Sequence, residues 1–236
     1  MPGPRYGGTA AVLNSQLYVI GGWTWTPPLP NTNLFVYNPP SNTWSTLAGM
    51  SHMSACGVAG VINGLLYVTT ACNGSSGYYN YLDVYNPATN TWTSLAGSSA
   101  SHSSPAGGVI NGKLYVAGGS GSSGPLTNVV EAYDPAKGTW TTLASMPSAV
   151  NNPASAVIDG KLYVFGGYDG TAVVDTVQVY DPIRNTWAVT TPSLPVAAQS
   201  FASDVLYGIA FVVGGLDSSG NDIGTNNLYI QCPSIP

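Results

Sequence analysis

Two histidines, one N-terminal arginine and a handful of aromatic residues are the side chains of this sequence whose chemistry could exceed packing. His52 and His102 are its only imidazoles, and imidazole is the side chain that changes charge near neutrality. They fall in successive copies of an internal repeat and could approach one another. A metal site normally takes three or four ligands, however, and none clusters with them in the sequence. No metal or other cofactor is expected, and a solvent-facing or packed histidine is the plainer reading. Arg5, Ser54, His102, Asn151 and Gln199 stand at or near one step of the repeat, with His52 two residues ahead of it. Side chains at that step are expected to point toward a channel mouth, where Arg5 would suit a carboxylate through paired hydrogen bonds. Trp23 and Trp25 in one loop, and Tyr78 and Tyr79 in the next, can stack on a sugar ring or anchor a peptide if exposed. The alternative is that they pack on their own loops.

The elements that must position these residues are legible from composition and period. The chain has 236 residues, of which 6% are charged, against about 25% in an average soluble domain. Gly, Ser, Thr, Asn and Pro carry the polar surface instead. The net charge of −5 comes from nine Asp and the single Glu131 against five Lys and Arg. No basic face is available for a phosphate backbone, so nucleic acid is not an expected partner. No apolar run is long enough to span a bilayer, and Met1-Pro2-Gly3-Pro4-Arg5 does not read as a leader, so no membrane association is expected. Low charge with abundant Ser, Thr and Asn suits an exported module, extracellular or periplasmic. Of the three cysteines, Cys56 and Cys72 would lie close across one hairpin, either as a disulfide or as two buried thiols.

A period near 48 residues runs through the sequence. Leu17-Tyr18-Val19-Ile20-Gly21-Gly22 returns as Leu114 to Gly119 and Leu162 to Gly167, and more loosely as Phe211 to Gly215; the second copy reads Leu66-Tyr67-Val68-Thr69-Thr70-Ala71 and lacks the glycines. Tyr-Asn/Asp-Pro follows at Tyr37, Tyr85, Tyr133 and Tyr180, then a tryptophan at 44, 92, 140 and 187. Each copy reads as four short strands. Asn-Ser, Asn-Gly or Asp-Gly makes the first hairpin, since those residues tolerate positive φ at both turn positions. Asn-Pro or Asp-Pro stops the third strand, because proline lacks an N–H. One such sheet cannot bury both faces alone, so copies must pack face to face around an axis.

Paired glycines after an apolar strand, then Tyr-Asp/Asn-Pro, then Asn-Thr-Trp at this period, resemble the kelch repeat over nearly the whole chain. The resemblance implies an all-β fold: a kelch-type β-propeller of about five blades, each a four-stranded antiparallel sheet, with an incomplete last blade. The whole chain, 1–236, reads as a single domain with repeats at about 1–49, 50–97, 98–145, 146–193 and 194–236. The last copy ends without a tryptophan strand, and the N-terminal residues do not supply one. Either five blades close by packing alone or the ring is larger. Kelch propellers include protein-binding adaptors, a copper radical oxidase, sialic-acid epimerases and plant specifier proteins, so the resemblance implies fold more than chemistry. Departures narrow the field. Acidic-peptide adaptors use several arginines where only Arg5 is present; no Tyr-His pair stands for the copper oxidase; and the acidic loop residues Asp169, Asp175, Asp217 and Asp222 also suit turn capping. The first expectation is therefore a non-catalytic binding or scaffolding propeller presenting a loop face to a glycan or a protein segment. A sugar-modifying enzyme similar to the epimerases, with Arg5 on a carboxylate and His52 or His102 moving a proton, is the second. An incomplete or engineered propeller forming homo-oligomers is the third.

Overall fold

The structure, a computed structural model, describes residues 1–24, 31–72, 78–120, 124–224 and 228–231, excepting the side chains at 72, 78–79 and 228–231. All regular structure among these residues is β. Blade 1 is β1 (Thr9–Leu13), β2 (Gln16–Ile20), β3 (Leu34–Asn38) and β4 (Thr43–Leu47); blade 2 is β5 (Ala59–Ile62), β6 (Leu65–Cys72), β7 (Tyr78–Asn86) and β8 (Thr91–Leu95). Blade 3 is β9 (Ala106–Ile110), β10 (Lys113–Ala117), β11 (Val130–Asp134) and β12 (Thr139–Thr142); blade 4 is β13 (Ala154–Ile158), β14 (Lys161–Phe165), β15 (Val177–Asp181) and β16 (Thr186–Thr190). Blade 5 has β17 (Ala202–Leu206), β18 (Ile209–Val213) and β19 (Leu228–Gln231). Each sheet is an antiparallel meander in chain order, four-stranded in blades 1 to 4 and three-stranded in blade 5. The expected incomplete last blade is therefore present.

Local chemistry accounts for the meander. The first hairpin of each blade turns on two residues with positive φ: Asn14-Ser15, Asn63-Gly64, Asn111-Gly112, Asp159-Gly160 and Tyr207-Gly208. Such a turn matches the right-handed twist of its strands. The paired glycines follow the second strand with positive φ, and in blades 1, 3 and 4 the second of the pair donates its N–H to the linker that leaves the blade: Gly22 to Ser54, Gly119 to Val150 and Gly167 to Ala198, each at 2.8 Å. Blade 2 lacks the pair, and the strand continues through that position. Its second and third strands run on to eight and nine residues, with a register irregularity between Thr70 and Cys72.

The core lies between blades. Leu13, Tyr18 and Ile20 of blade 1 pack on Leu66, Val68 and Tyr85 of blade 2. The same roles pass to Ile62 and Tyr67 against Leu114, Val116 and Tyr133, to Ile110 and Tyr115 against Leu162, Val164 and Tyr180, and to Ile158, Tyr163 and Phe165 against Ala210 and Val212. Tyrosines meet across the first three boundaries at ring separations of 6.2, 6.0 and 6.0 Å. The tryptophans are only half-buried, so their role is partly polar. Nε1 of Trp92, Trp140 and Trp187 donates to the carbonyl of Ala48, Ala96 and Ala144 in the preceding blade, each at 2.8 Å.

Candidate functional site

Where each linker enters the inner strand of its blade, one residue adopts a left-handed backbone: Gly7 (φ 61°), Cys56 (60°), Ser104 (52°), Asn152 (51°) and Ser200 (58°). The N–H groups of the last four donate to the carbonyls of Gly7, Cys56, Ser104 and Asn152 respectively, at 2.7, 2.9, 2.9 and 2.8 Å. This backbone belt crosses the four boundaries between successive blades. It borders a cavity of about 640 Å³ to which all five blades contribute, a volume in the range of small-ligand sites.

One wall of the cavity is aromatic. Tyr6 and Trp23 exchange backbone hydrogen bonds at 3.3 and 2.8 Å, which holds their rings stacked with centroids 6.2 Å apart and planes 16° from parallel. The belt residues Cys56, Ser104, Asn152 and Ser200 also line it, together with Pro105, Pro153 and Phe201. Among the described residues no charged side chain lines the cavity. The arrangement offers an apolar face, hydroxyls and one amide, which suits a neutral ligand with alternating apolar and hydroxyl or amide groups.

The linkers behind the belt are held by one position of the third strand, occupied differently in each blade: Phe35, Asp83, Glu131 and Gln178. In blade 1, Arg5 lies over the Phe35 ring at 5.3 Å and donates to Asn33 Oδ1 and the Pro4 carbonyl at 2.9 and 2.8 Å. In blade 2, Nδ1 of His52 lies 3.1 Å from both oxygens of fully buried Asp83, with its ring stacked on Tyr81 at 3.8 Å. In blade 3, Glu131 accepts from Ser99 N and Oγ at 2.9 and 2.7 Å, from Ala100 N at 3.0 Å and from His102 Nε2 at 3.0 Å. His102 Nδ1 donates to the Gly118 carbonyl at 2.8 Å. Burial alone would raise the Glu131 carboxyl; the hydrogen bonds from His102, Ala100 and Ser99 outweigh it and hold it down at about 2. A backbone carbonyl thus meets one ring nitrogen of His102 and the Glu131 carboxylate the other. In blade 4 the pair is neutral: Gln178 accepts from Ser148 N and donates to its carbonyl at 3.0 and 3.2 Å.

This placement corrects the expectation that one shared step points the polar residues into the channel. Arg5, Ser54 and His102 stand two residues before the belt, at the step where Val150 and Ala198 are fully buried, so their side chains turn into the protein. His102 is 4% exposed, and His52 and His102 serve separate carboxylates in separate blades. Asn151 and Gln199 stand one residue later in the repeat than His102. Both are half-buried, with Asn151 Nδ2 donating to Ser120 Oγ at 3.0 Å. Trp23 is half-buried and lines the cavity. Trp25 and the side chains of Tyr78, Tyr79 and Cys72 lie outside the described residues. The loop carboxylates Asp169 and Asp217 cap their own turns, accepting the N–H groups of Thr171 and Ala172 and of Ser219 and Asn221. The cavity residues missed from sequence, Tyr6, Ser104, Asn152 and Ser200, had one available signal: Ser104, Asn152 and Ser200 recur at intervals of 48 residues, two of them before proline.

Comparison with known proteins agrees with the fold. Residues 1–223 match the family model described as the Attractin/LZTR1 beta-propeller. A kelch domain-containing protein of Sulfurisphaera tokodaii is 38% identical over 65 residues, covering 28% of this chain and 9% of that relative. The solved structure of YjhT superposes with a TM-score of 0.83 at 20% identity, covering 98% of this chain and 83% of that one.

Proposed function

Since the chain belongs to the kelch-type Attractin/LZTR1 β-propeller family, whose propellers are typically binding or scaffold domains, we propose that it is a non-catalytic binding module whose channel mouth holds an uncharged glycan segment. The observation that carries this reading is the lining of the cavity: a stacked Tyr6–Trp23 pair together with Ser104, Ser200 and Asn152, and no charged side chain among the described lining residues. An aromatic face takes the C–H face of a sugar ring, while hydroxyls and an amide orient its oxygens. The sugar-modifying alternative needs Arg5 available to a carboxylate and a histidine at the channel. Instead Arg5 is engaged by Phe35, Asn33 and Pro4, and His102 is buried against Glu131.

A screen of neutral oligosaccharides, acidic oligosaccharides and peptides, followed by calorimetry on any binder, tests the proposal. Neutral glycans are expected to bind, and a Tyr6→Ala, Trp23→Ala double variant to lose about 2 kcal/mol, some thirtyfold, as truncated aromatic anchors do. Preference for acidic sugars would refute the reading. Peptide binding with the same dependence on Trp23 would keep the site and replace the ligand class.

A further inference from the structure

Three kinds of polar bond recur between neighbouring blades, and the boundary between blades 2 and 3 lacks all three. The first is an asparagine clamp at the turn before the fourth strand. Asn90 Oδ1 accepts the Tyr85 hydroxyl of its own blade at 2.8 Å and the Ala48 N–H of blade 1 at 3.0 Å. Asn185 does the same with Tyr180 and with Ala144 of blade 3, at 2.7 and 2.9 Å. In blade 3 that position is Gly138, which has no side chain to offer, and Ala96 stands exposed where Ala48 and Ala144 are half-buried.

The second is the glycine N–H that reaches the next linker from blades 1, 3 and 4. Blade 2 has Ala71 at this step, inside the continuing β6, and among the described residues no such bond reaches the linker of blade 3. The third is a serine bridge between inner strands. Ser155 Oγ accepts from Gly107 N and donates to the Gly107 carbonyl at 3.0 and 2.9 Å, and Ser203 repeats this on Ser155 at 3.1 and 2.7 Å. One blade earlier the serine position is Gly107 itself, where a Cβ would stand 2.5 Å from Val58, so no serine fits. The boundary between blades 1 and 2 lacks only this bridge, with Ala59 at that step.

What joins blade 2 to blade 3 is the bond from Trp140 Nε1 to Ala96, the belt bond from Ser104 N to Cys56, and apolar contact of Ile62 and Tyr67 with Leu114, Val116 and Tyr133. Hydrogen bonds fix direction, whereas apolar contact is non-directional and lets packed layers slide. Cys56 and Ser104, on the two sides of this boundary, both line the mouth cavity, so a small rotation of blade 2 against blade 3 changes its width. We propose that the boundary between blades 2 and 3 is a joint built into the propeller, at which the cavity widens and narrows around its occupant while the neighbouring boundaries keep their geometry. The joint serves any class of occupant and does not rest on the glycan reading.

Amide exchange followed by NMR on the unliganded full chain tests it, apart from any question of ligand. The four belt bonds are alike in length, 2.7 to 2.9 Å, so static geometry ranks none below the others. A joint between blades 2 and 3 predicts protection at Ser104 at least about tenfold below that at Asn152, whose bond crosses from blade 4 to blade 3. Gly138→Asn should restore the clamp, since the site has open space and its φ of +68° is close to the +54° and +52° of Asn90 and Asn185. That variant should raise protection at Ser104 by about tenfold and leave Asn152 unchanged. Asn185→Gly should lower protection at Asn152 toward the value at Ser104. Equal protection at Ser104 and Asn152 in the parent chain would overturn the proposal, as would a Gly138→Asn variant in which Ser104 exchanges as before.

Discussion

Replacing Glu131 by glutamine separates the charge of the blade 3 anchor from its shape. The carboxylate is 1% exposed and holds Ser99, Ala100 and His102 together. Its pKa is about 2 in the folded protein against 4.5 unperturbed. A carboxyl lowered on folding contributes stability that is complete above the unfolded value and is lost as pH falls through the folded one. At about 1.4 kcal/mol per unit, the shift corresponds to about 3 kcal/mol, lost between pH 4.5 and about 2. Glutamine fits sterically, since Gln178 fills the same position in blade 4. Its amide nitrogen would, however, face a donor that Glu131 now satisfies. Glu131→Gln should therefore unfold about 2 to 3 kcal/mol more easily at pH 7, the range for losing charged hydrogen bonds and leaving a buried donor unpaired. Urea denaturation followed by tryptophan fluorescence from neutral pH down to about 2.5 measures both effects, and the gap between wild type and variant should narrow as the wild-type carboxyl protonates. A gap that stays constant across that acid window would refute the assignment of the shift to this cluster.

Two stability predictions follow from the repeat itself. Gly119 has φ of +88°, and a Cβ there would stand 2.5 Å from the Ser103 carbonyl oxygen, so Gly119→Ala should destabilise by about 2 kcal/mol or more in thermal denaturation. Trp140→Phe removes the donor to Ala96 while keeping an aromatic ring and should cost about 1 to 2 kcal/mol by urea titration. Trp44→Phe, at the outer face, should cost measurably less; equal losses would mean that the inter-blade hydrogen bond is not what the indole contributes.

The blades were legible in the sequence because each depends on neighbours a few residues apart. Asn63-Gly64 and Asp159-Gly160 specify their turns by backbone preference alone, and Tyr37-Asn38-Pro39 stops a strand through the missing proline N–H. The absent glycine pair at Thr70-Ala71 falls where the second strand of blade 2 runs on to Cys72. The candidate site was less legible because its geometry turns on a single residue step. A one-residue offset exchanged Asn152 at the cavity for Asn151, since adjacent side chains point to opposite sides, and His102 is separated from Ser104 by the left-handed turn that Ser104 makes in the chain. The partners that draw His52 and His102 inward, Asp83 and Glu131, lie about 30 residues away on a strand whose local pattern carries no sign of linker anchoring.

By itself, then, the sequence determined the period, the four-strand meander and the aromatic residues at blade boundaries, since these follow from turn chemistry and alternation within each copy. Only the tertiary structure decided which polar residues face the channel and which carboxylates take up the histidines. Those outcomes depend on how one blade is rotated against the next, and that rotation is set by contacts summed over the whole arc.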